Sequence, residues 1–239
     1  MFSIGENKKY EDDFFILYNR LKNREHFSFS KYADGEMAIL VDQEITNCDG
    51  WTYLPQEHSF YREKMIESFQ YEDDNYFVGI GCPCCMGNER FEWMRDNSYQ
   101  KDSKLTWANI FVNSNHQLYL DNMLPLYSEY DVILVATNRA DIDKLPFKVK
   151  KFYGIGPLAW KDDYHLIDDI KKYIDSENIK NSLFLFCAGP LGNMMSHQLW
   201  EHNKENTYID IGSTLDIHLG IGATRGYLGG GNNRVCNWG

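Results

Sequence analysis

The stretch FSFSKYADGE, residues 27–36, decides the fold of this chain. Phe27 and Phe29 alternate with serines, and this period of two residues predicts a β-strand. The strand stops before Asp34 and Glu36, two acids separated by one glycine. Ligands of α/β sheets bind outside the carboxyl ends of the strands, so this turn is the first candidate for a functional site.

The two acids of this turn have two interpretations. Two carboxylates around a glycine can approach one hard cation with the backbone close by, and Asp34 and Glu36 would then hold Mn²⁺ or Mg²⁺. Alternatively, Asp34 caps a helix over residues 35–41 and Glu36 stabilises its first turn. The tripeptide alone leaves both interpretations open.

The length and composition favour one folded domain. The chain has 239 residues, of which 43% are hydrophobic and 15% are aromatic, enough for one substantial core and short for two. No repeat and no Gly/Ser/Pro-rich linker divides it. We therefore predict a single domain over residues 1–239, with an N-terminal helix in residues 1–25 and a C-terminal arm in residues 221–239.

Charge and hydropathy exclude several functional classes. The formal net charge of −11 argues against a sequence-independent nucleic-acid binder, which needs clustered Lys and Arg. The N-terminal residues 1–8 lack the apolar region of a signal peptide, and no apolar run approaches the roughly 20 residues of a membrane span. We therefore expect a cytoplasmic protein of a bacterium, or of a host cell if the source is viral.

The six cysteines do not predict a disulfide framework. Cys82, Cys84 and Cys85 stand too close together for one, and Cys187 lies in an apolar run as a small hydrophobic residue. The C-x-C-C group also lacks the paired two-residue spacing of a zinc knuckle, so its spacing disfavours a metal role. Such usage is typical of a reducing compartment.

Apolar strands alternate with amphipathic helices along the chain. Continuously apolar strands between helices indicate an α/β fold, with a mostly parallel sheet and helices on both of its faces. The predicted strands cover about residues 27–32, 76–80, 105–112, 131–136, 147–153, 182–187 and 207–211. The predicted helices cover about residues 10–21, 35–41, 58–69, 90–94, 116–127, 163–174 and 191–200.

Three further predicted strands end in polar or glycine-rich segments. These are TNR (137–139), AGPLGN (188–193) and DIGSTLD (210–216). Glycines in the second segment allow backbone amides to approach an anion at a helix N-terminus. Because this segment matches neither a Walker loop nor a dinucleotide fingerprint, a purely structural turn is an equally good interpretation.

Four segments of the chain together resemble motifs of the GT-D-type glycosyltransferases. KYADGE (31–36) resembles the family's Arg-Phe/Tyr-Gly-Asp-Gly-Glu signature, and LFLFCAGP (183–190) resembles its strand ending in Gly-Pro. YIDIG (208–212) resembles its closing Asp-Ile-Gly, and WANIFVNSN (107–115) occupies the place of its middle Asn/Ser segment. The resemblance runs in the expected order over about residues 27–220, although each motif is short.

The resemblance implies a Rossmann-like, metal-dependent enzyme that moves a sugar from a nucleoside-diphosphate sugar, most readily a UDP-sugar, to an acceptor hydroxyl. The acceptor would be a glycan or glycoprotein, and the metal would be Mn²⁺ or Mg²⁺ on Asp34 and Glu36. Asp216 is our candidate for the base that deprotonates the acceptor. The expected donor-binding residues are Lys31, Asn138, Arg139, Gly189, Pro190, Gly192, Asn193, Asp210 and Ser213.

The sequence departs from the family pattern at three positions. Lys31 replaces the usual Arg and Ala33 the usual Gly, so the phosphate contact becomes a point charge. Ser213 follows Asp-Ile-Gly where some members carry His, with Asp216 and His218 nearby, which leaves the identity of the base open.

Other functions stay open at this point. One is a different nucleotide-sugar or phosphate-transfer enzyme, or a hydrolase, with the same metal site. Another is a non-catalytic carbohydrate-binding protein. Trp51, Trp107 and Trp160 lie nearest to the predicted loops and are candidates for stacking on a sugar. A homodimer is compatible with the sequence, but no motif specifies one.

Overall fold

A computed structural model describes Phe2, Ile4 and residues 10–229 of the chain. The ends of the predicted N-terminal segment and of the predicted C-terminal arm therefore lie outside the described residues. In chain order the strands are β1 (Ser28–Tyr32), β2 (Ile45–Thr46), β3 (Thr52–Tyr53), β4 (Tyr76–Ile80), β5 (Leu105–Trp107), β6 (Val132–Thr137), β7 (Val149–Ile155), β8 (Leu183–Phe186) and β9 (Thr207–Asp210). The α-helices are α1 (Tyr10–Lys22), α2 (Asp34–Leu40), α3 (Ser59–Gln70), α4 (Pro83–Met86), α5 (Asn88–Asn97), α6 (His116–Leu118), α7 (Leu124–Leu126), α8 (Ala159–Asp162), α9 (Leu166–Ser176) and α10 (Pro190–His202).

Seven of the strands form one parallel sheet in the order β5-β4-β1-β9-β8-β6-β7. The chain builds outward from β1 through β4 to β5, then crosses to the other half and returns with β9 beside β1. β1 and β9, the first and the last strands of the sheet in chain order, are thus neighbours in its middle, and ligands of α/β sheets bind outside the carboxyl ends of the strands. The predicted Rossmann-like α/β fold is confirmed.

Both faces of the sheet are buried, as the apolar strands predict. In β6, Ile133 and Val135 pack on the face covered by α2, α3, α5, α8, α9 and α10. Val132 and Leu134 pack on the opposite face, which α1 and the segment from α6 to α7 cover. The described residues include no helix with the length and apolar character that a membrane crossing requires.

Three segments differ from the prediction. The strand predicted over residues 105–112 ends at Trp107, because the chain turns after the Ala108 amide donates to the Ile80 carbonyl. The helix predicted over residues 116–127 is interrupted by a π-helical segment, Tyr119–Met123. Residues 47–50 form a turn that closes a short hairpin of β2 and β3, two strands that are absent from the predicted set.

A buried polar seam fixes α10 against β1. Ser28 Oγ donates to the Ser196 carbonyl at 2.7 Å, and Ser196 Oγ donates to a carbonyl of β1 at 3.3 Å. Asn193 Nδ2 donates to Ser30 Oγ at 3.1 Å and to the Lys31 carbonyl at 2.6 Å. Ser28 and Ser30 are the residues that alternate with the two phenylalanines in the sequence of this strand. The seam sets the start of α10 beside the end of β1.

Asn193→Ala tests this seam. Asn193 is fully buried, and its truncation deletes the amide that donates to the Lys31 carbonyl and to Ser30, so we expect a loss of about 1–3 kcal/mol in the free energy of unfolding. Urea denaturation measures it. The control is Gln117→Ala, which removes an exposed amide paired with Asp121 and should change stability by less than about 0.5 kcal/mol. An Asn193 variant as stable as the wild type would contradict the role of the seam.

Candidate functional site

The carboxyl ends of the neighbouring strands β1, β9 and β8 lie side by side in the middle of the sheet. Lys31 is the last but one residue of β1, Asp210 ends β9, and β8 leads into Cys187 and then Gly189. Asp210 is only 2% exposed. The Lys31 ammonium lies 2.8 Å from the point that a Cβ on Gly212 would occupy, so it lies over the turn that follows β9. The sheet topology therefore brings three of the four predicted motifs together.

Lys31 lies between two carboxylates, those of Asp210 and Glu36. Burial raises the pKa of Asp210 to about 6; the nearby Lys31 lowers it, but burial and the Glu36 charge prevail. Burial opposes the charge on Lys31, yet the attraction of Asp210 and Glu36 prevails and its pKa is raised. Asp210 also accepts a hydrogen bond from the Gly212 amide at 3.0 Å. The half-buried Lys31 ammonium thus lies in the field of the Asp210 and Glu36 carboxyl groups.

Asp34 and Glu36 lie in different surroundings. Both are in the first turn of α2, and residues two apart on an α-helix point about 200° apart. Glu36 is 8% exposed and accepts a hydrogen bond from the Ala33 amide at 2.9 Å, so it stabilises the helix start as one interpretation predicted. Asp34 is exposed and lines a shallow groove with Arg90. The structure brings Glu36, and not Asp34, beside Lys31.

The donor set has implications for a metal. Among the described residues, no group of three carboxylates or histidines comes close enough to surround an ion. Mg²⁺ is usually bound by one or two carboxylates and takes its remaining ligands from phosphates and water. The Glu36 carboxylate fits a cation of that kind, whereas Asp34 points to the other side of α2, so the two residues do not form a protein cage.

Only one residue of the 189–193 segment is not fully buried, namely Gly189. Gly189 precedes the first residue of α10, and its φ of +52° is a left-handed conformation that favours glycine. Pro190 has no N–H, and the Gly192 amide donates to the Gly189 carbonyl at 2.8 Å. A Cβ on Gly192 would lie 3.4 Å from Cγ of Asp210, so Gly192 allows α10 to pack closely on β9. Asn193 belongs to the seam described above.

Trp51 packs between Gly35 in the first turn of α2 and Gly189 before α10. Its ring lies 2.9 Å from the position of a Cβ on Gly35, and its Nε1 lies 3.6 Å from that of Gly189. Gly35 is therefore required by close approach of the indole. The indole is only 3% exposed. Trp107 and Trp160 are each 1% exposed within the core, so the expectation that they stack on a sugar is wrong.

The segment after β9 carries Asp216, which is 8% exposed. Its carboxylate accepts a hydrogen bond from Thr224 Oγ1. Burial raises the pKa of Asp216, while Thr224, Arg225 and Arg139 oppose that rise. Arg139 itself is exposed, and so is the neighbouring Asn138. The predicted base is thus nearly covered.

Residues 224–227 cover this side of the β1–β9 junction. The Arg225 guanidinium pairs with Asp49 from the β2–β3 turn, and the Ser213 and Tyr227 hydroxyls are hydrogen-bonded at 2.8 Å. Burial and the charges of Asp216 and Asp210 keep the pKa of Cys187 well above its ordinary value, so its thiol is neutral. Asp49 and Cys187 are not among the residues that the sequence predicted for the site. Only the position of Cys187 directly after an apolar strand could have indicated it.

The pH dependence of stability tests the environment of Asp210. Its folded pKa of about 6 lies above the unfolded value of about 4, so between these values the folded state holds a proton that the unfolded state has lost. We expect the free energy of unfolding of the wild type to rise, relative to Asp210→Asn, as the pH falls from 7 to 4. Urea denaturation at several pH values measures the difference. Asp168→Asn, an exposed carboxylate, is the control.

A parallel pH dependence would contradict this environment. If the free energy of unfolding of Asp210→Asn changed with pH as that of the wild type does, Asp210 would titrate in the folded state as it does in the unfolded chain.

No protein-family model and no curated protein matches the sequence. The fold does match solved structures. A selenomethionine-substituted structure of domain of unknown function 1792 has a TM-score of 0.58 at 17% identity, covering 84% of this chain and 77% of that chain. A second structure, of a highly conserved domain of unknown function 1792 described as having a distinct glycosyltransferase fold, has a TM-score of 0.57 at 16% identity, with the same coverage. A new glycosyltransferase of this domain class from Streptococcus sanguinis has a TM-score of 0.59 at 13% identity, covering 90% of this chain and 82% of that chain. At these identities the likeness establishes a shared fold.

Proposed function

We propose that this protein is a glycosyltransferase that moves a sugar from a nucleoside-diphosphate sugar to an acceptor hydroxyl. The observation that carries the proposal is the convergence of Lys31, Glu36 and Asp210 at the carboxyl ends of the strands in a fold shared with a structure described as a glycosyltransferase. A UDP-sugar donor, a glycan or glycoprotein acceptor and a homodimeric assembly are the finer parts of the proposal.

The charge balance of the site supports a metal-dependent donor. The charged groups that interact around the junction are three cations and four carboxylates, so a diphosphate would meet no net positive charge there. A divalent cation bound with the donor would supply that charge and neutralise the leaving diphosphate. Glu36 would hold it as Mn²⁺ or Mg²⁺, and Asp34, which points to the other side of α2, would take part only through water. The seven groups are Lys31, Glu36, Asp49, Arg139, Asp210, Asp216 and Arg225.

The residues of the chain have separate roles in this scheme. Lys31 would bind a phosphate oxygen, and the accessible Gly189 turn would place the start of α10 near the diphosphate. During transfer, the bond between the sugar and the diphosphate breaks and a bond from the sugar to the acceptor oxygen forms. The acceptor proton would pass to Asp216, whose pKa is raised by burial towards the range of an effective base.

Removing the Glu36 carboxylate tests donor binding. We expect a thermal-shift screen of UDP-, GDP-, dTDP- and CMP-sugars to show a Mn²⁺-dependent shift with one nucleotide family, because a ligand at 100 times its dissociation constant stabilises by about 2.7 kcal/mol. Glu36→Gln should lose that shift, and Asp34→Asn should lose less, because Asp34 lies in the exposed groove.

The control for this screen is Glu63→Gln, an exposed carboxylate on α3 that should keep the full shift. Full metal-dependent binding and turnover by both Asp34→Asn and Glu36→Gln would disprove the proposed metal site. A donor that is hydrolysed faster than it is transferred, with every acceptor tried, would instead indicate a hydrolase.

Asp216→Asn tests the base separately. A general base contributes about 10²–10⁴-fold, so we expect kcat to fall by that factor while the donor-induced thermal shift is retained. Asp141→Asn, which removes an exposed carboxylate paired with Lys144, should keep full turnover. A loss of less than about tenfold for Asp216→Asn would exclude it as the base.

A further inference from the structure

Three cysteines converge in the loop after β4, on the strand adjacent to β1. The Sγ atoms of Cys82, Cys84 and Cys85 all lie within 4.8 Å of one another. The loop folds back through the single turn of α4, and Cys82 is buried while the other two are exposed. The C-x-C-C spacing did not predict this cluster, because the spacing of zinc knuckles comes from a different loop shape.

The sulfur positions suit one thiophilic ion. Zn²⁺ binds thiolate sulfur at about 2.3 Å, so sulfurs on a tetrahedral ion lie about 3.8 Å apart. Cys82 Sγ and Cys84 Sγ are 3.2 Å apart, and the remaining pairs are within 4.8 Å. The observed sulfur separations lie on both sides of the required one, and side-chain rotations that change each separation by up to about 1 Å would meet it.

The side-chain amide of Asn109 lies beside two of the three sulfurs. Asn109 Nδ2 lies 3.5 Å from Cys85 Sγ and 3.8 Å from Cys82 Sγ, and it donates to both sulfurs. Asn109 follows β5, which pairs with β4 through Ile80 and Trp107, so two adjacent strand ends build this group. Donors to metal-bound thiolates offset their negative charge and orient them.

We propose that Cys82, Cys84 and Cys85 bind one thiophilic d¹⁰ cation, Zn²⁺, through their thiolate sulfurs. Each thiol releases a proton to solvent as its sulfur binds the ion, and no oxidation or reduction is involved. Thiolates select such soft ions, whereas the carboxylates of Asp34 and Glu36 suit Mg²⁺ and Mn²⁺. This site is independent of the proposed sugar transfer.

The location gives the ion a structural consequence. Tyr32 of β1 and Ile80 of β4 are register partners, so Asp34 and Cys82 each follow their strand by the same two residues. The cysteine loop continues into α5, whose Arg90 lines the groove with Asp34. An ion on the three sulfurs would therefore fix the wall of that groove.

The test is metal titration of the full-length, reduced protein after treatment with a chelator. We expect one equivalent of Zn²⁺ by calorimetry, and Co²⁺ as a probe should give thiolate-to-metal charge-transfer absorption. Cys84→Ser and Cys85→Ser, both at exposed positions, should lose that absorption. Cys48→Ser, which removes an exposed thiol outside the cluster, is the matched control and should keep it. Asn109→Ala should weaken Zn²⁺ binding by about 10–100-fold.

Two results would overturn the proposal. One is the absence of stoichiometric Zn²⁺ or Co²⁺ binding in the reduced wild type. The other is retention of the Co²⁺ absorption in the triple variant Cys82→Ser/Cys84→Ser/Cys85→Ser, with its fold verified by circular dichroism. Zn²⁺ binding should be unchanged in Glu36→Gln, so failure of this site is distinguishable from failure of the proposed donor site.

Discussion

The electrostatic attraction between Lys31 and Asp210 across the β1–β9 junction is the interaction on which the candidate site depends. Lys31 is the last but one residue of β1 and Asp210 ends the adjacent parallel strand, so forming the sheet brings the two charges near each other. Asp210 is buried and Lys31 is half-buried, and burial opposes the charge of each residue. Glu36 adds a second anion, and burial leaves Asp210 with a pKa of about 6. The junction thus holds more negative than positive charge, which suits a cation-bearing ligand better than a bare phosphate.

Packing around this pair explains why the glycines of the motifs have different purposes. Gly35 makes room for Trp51, and Gly192 makes room for Asp210. Gly189 is the one that remains accessible and has the left-handed backbone that begins α10. A glycine-rich segment after a strand therefore indicates a helix start, but which of its amides faces a ligand depends on what packs against it.

The sequence predicted the fold and the location of the site for the same physical reason. Continuously apolar strands must be covered on both faces, and parallel strands place all their carboxyl ends at one edge. Lys31, Gly189 and Asp210 follow from that rule. The pairing of Asp49 with Arg225 could not be predicted, because it joins residues 176 positions apart through two loops. The opposite directions of Asp34 and Glu36 could not be predicted either, since they depend on α2 beginning at Asp34 rather than after it.

Adjacent strand ends here present donors of opposite chemical character. Oxygen donors follow β1, and sulfur donors follow β4 at the same depth in the sheet. Affinity alone would let Zn²⁺ displace Mg²⁺ or Mn²⁺ from carboxylates, since it binds most sites more tightly than either. A nearby set of three thiolates would take up Zn²⁺ preferentially and leave the carboxylates to the harder ion. Two neighbouring metal sites would then be compatible because their ligands differ in softness, even though the strands that carry them are hydrogen-bonded to each other.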